Sequence, residues 1–194
     1  MRRGPGRTGG AETAARGRAR RGVPLGARGL LGAAVVCCLA LAAAPLGTDG
    51  LRPLATLDTT AGLAVFEASC AACHGFAGEG LVGAVPPLVA DVPALLSLEG
   101  GREYLVRVLL NGLSGEIEVQ GRRYSGVMPS WAHLSDQELA DVLNHVATAW
   151  GNAALLPPDE VEFTALEVAL ARGFPADQAS LAAQRRALAR TSEQ

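Results

Sequence analysis

The sequence predicts a mainly helical domain broken by one short hairpin, and three observations carry that expectation. Apolar residues recur at helical spacing around residues 62–70, 101–111 and 139–146. Strand-like alternation is confined to residues 116–124. Gly and Pro crowd residues 75–93, where no period holds. With 194 residues, 49% of them hydrophobic, the chain has the size of one domain plus extensions, and disorder throughout is excluded. No apolar run reaches the roughly 20 residues of a confident membrane span, which excludes a polytopic membrane protein.

Residues 1–47 read as a targeting segment. Arg2, Arg3, Arg7, Arg16, Arg18, Arg20, Arg21 and Arg28 precede an uncharged run over residues 30–44 that ends in small side chains. A basic start, an apolar centre and a small-residue exit describe a secretory signal; the run is borderline for a retained membrane anchor, and both readings stay open. If retained, residues 30–46 would associate the protein with a membrane. Cys37 and Cys38 fall inside the run, where cysteine acts as a small hydrophobe. Charge divides at the same place. Residues 1–44 hold eight Arg and one Glu, residues 45–194 nine Arg and 18 acidic residues, and Lys is absent. An acidic folded part argues against nucleic acid as a partner.

After a linker at 48–60, a helix is expected from Thr59 or Thr60, either of which can N-cap it. Gly62, Leu63, Phe66 and Cys70 share its inner face. The long loop that follows is of a length usually reserved for function. A second helix over 101–111 carries Tyr104, Leu105, Val108 and Leu109. Residues 116–124 alternate about Gln120-Gly121, which predicts a hairpin. Ser135 and Glu138 form a capping box for a helix bearing Leu139, Val142, Leu143 and Val146, ending near Trp150-Gly151. The domain is placed at 61–152 and a helical tail at 153–194. In the tail Val161, Leu166 and Leu170 make an apolar face, Gly173-Phe174-Pro175 breaks it, and residues 176–190 form a second helix. Solvated and packed arrangements of this tail are both open.

The chemistry lies in Cys70-Ala71-Ala72-Cys73-His74, the C-x-x-C-H signature of covalent heme attachment. Positions i and i+3 share a helix face, so both thiols reach the two vinyl groups on one porphyrin edge. The next imidazole then lies under the iron. Chance would produce the string in about one such chain per thousand. A thioredoxin-like motif wants a strand before it, and a zinc site wants four ligands that this chain does not space correctly. Met128, the only Met besides Met1, is the candidate sixth ligand, with His133 as rival and core filling as the plain alternative. His145 reads as an ordinary helix residue. Leu81, Val82, Val85, Leu88, Leu95, Leu109 and Trp131 are candidate pocket walls.

These motifs resemble the class I c-type cytochromes, here a monoheme bacterial cytochrome c domain. The resemblance rests on Gly62, Phe66, Cys70-Ala71-Ala72-Cys73-His74-Gly75, Pro86-Pro87-Leu88, Tyr124-Ser125-Gly126-Val127-Met128-Pro129, Leu143 and Trp150. It implies an all-α fold wrapped around one heme c, bound covalently through Cys70 and Cys73. It implies His74 and Met128 as the two iron ligands. A carbonyl of the Pro86-Pro87 pair, assigned to Pro87, would receive the His74 Nδ1 proton and orient the ring. The first and last helices of the domain would cross near Gly62, Phe66 and Trp150. The ending is similar to bacterial cytochromes that serve alcohol dehydrogenases, nitrite reductases and terminal oxidases. Family heme attachment happens outside the cytoplasm, so the resemblance implies a protein exported to the periplasmic side of the inner membrane, soluble or anchored by its N-terminal helix.

Two filled axial positions leave no open coordination site, which suits electron transfer and opposes catalysis. The expected role is a non-enzymatic electron carrier, or the subunit that takes electrons into a respiratory oxidoreductase. Its partners would be a dehydrogenase, a reductase or a terminal oxidase. The alternative is a heme-based gas sensor in which a diatomic ligand displaces Met128.

Overall fold

Asp58 starts the first helix. In the computed structural model, which describes residues 50–191, its Oδ1 accepts from the Thr60 amide at 3.0 Å and the Thr60 hydroxyl at 2.6 Å. The N-cap position is as expected, and only the capping side chain differs. Thr59 occupies the N-cap position, but its side chain makes no cap bond. An ionised carboxylate two residues ahead is the stronger acceptor. The targeting readings for 1–47 lie outside the described residues. Among the described residues no helix is long and apolar enough to cross a membrane.

The elements run α1 (Thr60–Ser69), α2 (Ala71–His74), α3 (Asp91–Leu96), α4 (Gly101–Asn111), β1 (Leu113–Ser114), β2 (Ile117–Val119), β3 (Arg122–Tyr124), β4 (Val127–Met128), α5 (Asp136–Thr148), α6 (Ala165–Arg172) and α7 (Gln178–Thr191). The strands form two separate antiparallel pairs, β1 with β4 and β2 with β3. The rest of the regular structure is helical.

Helix α1 packs on α5 at Gly62. A Cβ there would overlap the Asp141 carbonyl oxygen and come within 2.7 Å of His145 Cβ, so the approach needs glycine. One turn on, buried Phe66 meets Trp150 and His145 at ring-centroid distances of 5.0 and 5.6 Å. Leu63, expected on this face, is exposed, because the contact is a narrow arc through Gly62 and Phe66.

Loop 75–90 folds back on itself. Gly80 N donates to His74 O at 2.8 Å, Leu81 pairs with Val85, and Leu88 N donates to Gly78 O at 2.8 Å. Trp150 donates its Nε1 proton to Phe76 O at 3.1 Å. Fully buried Asn152 accepts from Ala90 N and donates to Leu88 O and Val146 O. One amide therefore ties the loop to the end of α5. The kink after α5 is made by Trp150 and Gly151, both with positive φ.

Hairpin β2–β3 pairs Ile117 with Tyr124 around Gln120 and Gly121, whose φ angles of 50° and 72° match the right-handed strand twist. At α5 the capping box is present, with Ser135 Oγ accepting from Glu138 N at 3.2 Å and Glu138 accepting from Ser135 N at 2.8 Å.

The C-terminal residues pack on the domain. Phe163, Val168, Leu181, Ala182 and Leu188 are buried. The side chain of Asn144 satisfies both backbone groups of Phe163, accepting its N–H at 2.7 Å and donating to its carbonyl at 3.0 Å. Arg102 on α4 donates to Glu160, Glu167, Val161 O and Glu162 O while lying 3.9 Å over the Phe163 ring. Leu166 and Leu170, part of the apolar face read from the sequence, are 69% and 62% exposed. The Asn144 clamp and the Thr164 cap fix where α6 begins, and that phase turns Val168 inward instead. Helix α4 meets α6 and α7 as well as the domain, so Val106 and Leu110 are buried beyond its expected stripe.

Candidate heme site

The turn between α1 and α2 carries the two cysteines on one helical path. Cys70 N donates to Phe66 O at 2.8 Å, and His74 N donates to Cys70 O at 3.0 Å. Cys70 is half-buried and Cys73 exposed, and no disulfide joins them. Burial, together with the neighbouring Cys73 thiol, pushes the Cys70 thiol up to about 11, so it stays protonated near neutrality. Cys70, Cys73, His74 and Met128 all line one cavity, whose remaining walls are mostly apolar.

His74 is buried, with Nδ1 3.1 Å from Pro86 O. A carbonyl has no proton to give, so Nδ1 is the donor and the neutral ring carries its lone pair on Nε2. Burial holds the imidazole below its ordinary pKa, with the Pro86 bond opposing. The carbonyl is Pro86's, and Pro87, the residue assigned to this role, does not line the cavity. Val85 bridging back to Leu81 brings the Pro86 carbonyl over the ring. The same hairpin-like turn leaves Leu81 and Val82 exposed at its tip, so they are not pocket walls. Val85, Leu88, Leu95, Leu109 and Trp131 do line the cavity.

Met128 reaches the cavity from β4, far along the chain from the thiol-bearing helices. In β4 it pairs with Leu113 of β1. Just beyond it, Ser130 Oγ donates to Leu110 O at 2.5 Å and Trp131 N to Leu109 O at 2.8 Å. These bonds hold the Met128 segment against the end of α4, where Gly112 (φ 75°) leaves room for the Met128 carbonyl. Across the opening, Ser125 N donates to Gly83 O at 3.2 Å, linking the His74 loop to the Met128 loop. His133 is exposed outside the cavity, its ring tilted at 44° to that of Trp131 with centroids 5.5 Å apart. His145 is buried away from the cavity lining, between Phe66 and Trp150, and among the described residues neither ring nitrogen has a hydrogen-bond partner.

Three further groups line the cavity that sequence reasoning did not single out for it: Asp91, Tyr104 and Arg185. Arg185, on α7, is ion-paired to Asp91. Burial raises the Asp91 carboxyl above its ordinary pKa, with Arg185 opposing, and pushes the Tyr104 hydroxyl up as well. No local pattern could have marked Arg185, which is one of several Arg in an Ala-rich helix.

Two thiols at i and i+3, an imidazole with a free Nε2, and a thioether around an apolar cleft fit a tetrapyrrole with a soft central metal, and they fit no all-oxygen cation site. Fold and donors together define a c-type heme protein. Residues 57–146 match the family described as cytochrome c oxidase, cbb3-type, subunit III. Cytochrome c-552 of Thermus thermophilus is 50% identical over 121 residues, covering 62% of this chain and 92% of that one. The gluconate 2-dehydrogenase cytochrome c subunit of Pantoea cypripedii is 37% identical over 100 residues, half of this chain and 22% of that one. The alcohol dehydrogenase (quinone) cytochrome c subunit of Gluconobacter oxydans is 35% identical over 115 residues, 56% and 23% respectively. The chain belongs to the c-type cytochromes, and its cofactor is covalently bound heme c.

Proposed function

We propose that this chain is an extracytoplasmic monoheme electron carrier, or the cytochrome subunit of a respiratory oxidoreductase, and is not itself an enzyme. Heme c, when bound, supplies a one-electron ferrous–ferric couple. In this reading Cys70 and Cys73 hold it through thioethers, and His74 and Met128 are its axial ligands. The observation that carries the reading is the convergence of these four side chains on one apolar cavity, with His74 Nδ1 already engaged by Pro86 O.

The chain's own residues have three tasks. Pro86 O fixes the tautomer and plane of His74 and raises the basicity of Nε2. The β1–β4 pair and the Ser130 bond hold Met128 in place through a change of oxidation state, which keeps reorganisation small. The apolar walls disfavour the extra positive charge of the oxidised state and so raise the potential, as a thioether ligand also does. The names of the gluconate and alcohol dehydrogenase subunits support a dehydrogenase as electron donor. The basic and apolar pattern of residues 1–47 supports export to the periplasmic side, where such partners would be met.

The test uses the purified holoprotein. Oxidised wild type is expected to show the weak far-red band of iron–thioether bonding. Met128→Ala should abolish that band and lower the midpoint potential. Reduced wild type that binds carbon monoxide readily would overturn the carrier reading in favour of a gas sensor.

A further inference from the structure

The C-terminal helix α7 buries Leu181, Ala182 and Leu188 along one stripe, and Arg185 sits in that stripe at the i+4 position from Leu181. A leucine there would bury apolar area with no desolvation cost. Instead the structure has a guanidinium that is 6% exposed and lines the heme cavity. Among the described residues lining that cavity, it is the sole Arg or Lys. Its Nη2 is bonded to Asp91 Oδ1, and no second acceptor is bonded to it among the described residues. A guanidinium has five N–H donors, so most of its bonding capacity is unused in a place where water is scarce.

The chemistry of the cofactor supplies what is missing. A heme carries its vinyl groups on two neighbouring pyrroles and its two carboxylates on the other two. Thioether attachment at Cys70 and Cys73 commits the vinyl edge to α1 and α2, so the carboxylates fall on the part of the cavity away from the thiols. Arg185 comes from α7, which packs on α4, β1 and β2, and Asp91 opens α3. Neither belongs to the thiol-bearing helices. Without Arg185, two incoming carboxylates would join Asp91 in an apolar cleft with no Arg or Lys to offset them, an arrangement that desolvation makes costly.

We propose that Arg185 is the cationic partner of a heme propionate, positioned for it by Asp91, so that the C-terminal extension is part of the redox site. The proposal rests on the heme assignment made above. Fork-shaped donation to two acceptors at once, one Asp91 and one propionate, is what Arg does and Lys does poorly. It has an electrostatic corollary of fixed sign. A cation near the iron disfavours the oxidised state, so removing Arg185 lowers the midpoint potential, and removing the Asp91 carboxylate raises it.

The experiment compares full-length holoprotein with Arg185→Gln, Arg185→Lys and Asp91→Asn, each checked for heme retained after acid–acetone extraction. The readouts are the spectroelectrochemical midpoint and the propionate bending band in resonance Raman spectra. Arg185→Gln is expected to lower the midpoint and move the propionate band. Arg185→Lys should keep most of the midpoint but move the band, and Asp91→Asn should raise the midpoint. A general loosening of the fold would move both neutralising variants in the same direction, and that result overturns the assignment. So does Arg185→Gln with wild-type midpoint and band. Should Arg185→Gln not accumulate, a midpoint that falls or stays in Asp91→Asn overturns it. Wild type that loses its heme on extraction would overturn the heme assignment itself, whereas retained heme with unmoved readouts overturns Arg185 alone.

Discussion

Arg102 is the residue whose loss should most clearly detach the C-terminal extension, and its effect can be worked from the contacts it makes. The guanidinium forks onto Glu167 at 2.7 and 2.8 Å, reaches Glu160 at 2.5 Å, and donates to Val161 O at 2.9 Å and Glu162 O at 2.8 Å. It also stacks on Phe163. Hydrogen bonds involving a charged group contribute about 1.5–3 kcal/mol each when well shielded. Here the Arg102 side chain is 26% exposed, so water and salt screen part of the ion pairing, and bonds that share one guanidinium do not add. Arg102→Ala is therefore expected to cost about 2–4 kcal/mol, rather than the sum of five bonds. For a domain of this size that lowers the melting temperature by about 5–15 °C. Amide exchange should speed up first over residues 160–172, which Arg102 holds against α4. Arg102→Lys should fall between, because an ammonium cannot fork onto Glu167 while also reaching two carbonyls. Urea unfolding of Arg102→Ala within about 0.5 kcal/mol of wild type, with unchanged exchange in 160–172, would refute the clasp.

Other expectations follow from single contacts. Gly62→Ala drives a methyl into the Asp141 carbonyl at the meeting of α1 and α5, and since backbone yields little, a loss of about 1–3 kcal/mol should be seen in denaturant titration; an unmoved midpoint would mean the helices are not so close. His145 has both ring nitrogens buried without partners among the described residues, and burial holds its pKa below the ordinary value. The unfolded chain therefore takes up a proton first as pH falls. Its contribution to stability is complete above the ordinary pKa of about 6.5 and is lost as pH drops through it toward the folded value. His145→Phe should gain on wild type between about pH 7 and pH 5, and parallel pH profiles would contradict this. Asn144→Ala strands both backbone groups of Phe163, at about 1–3 kcal/mol, with exchange at the Phe163 amide as the local readout.

Much of the site is legible in the sequence because its chemistry is local. Cys70, Cys73 and His74 fall within five consecutive positions, so helix geometry alone sets their relation. The Gln120-Gly121 turn and the Ser135–Glu138 box are likewise complete within four or so residues. Errors begin where two short-range solutions compete. Thr59 holds the N-cap position, but the Asp58 carboxylate rather than a threonine hydroxyl accepts the first amide. Pro86 and Pro87 both offer a carbonyl, and only the path of the Leu81–Val85 turn selects Pro86.

By itself the sequence determined the heme-attachment string, the helical character of the domain, the hairpin and the acidic balance of the folded part. Each depends on residues a few positions apart, where periodicity and side-chain reach are decisive. Only the tertiary structure decided that Leu166 and Leu170 face outward and that Arg102 clasps the extension. It alone decided that Arg185 meets Asp91, 94 positions away, at the wall of the cavity. No local pattern encodes such pairs, because a helix with two apolar faces chooses between them by the surface it lands on.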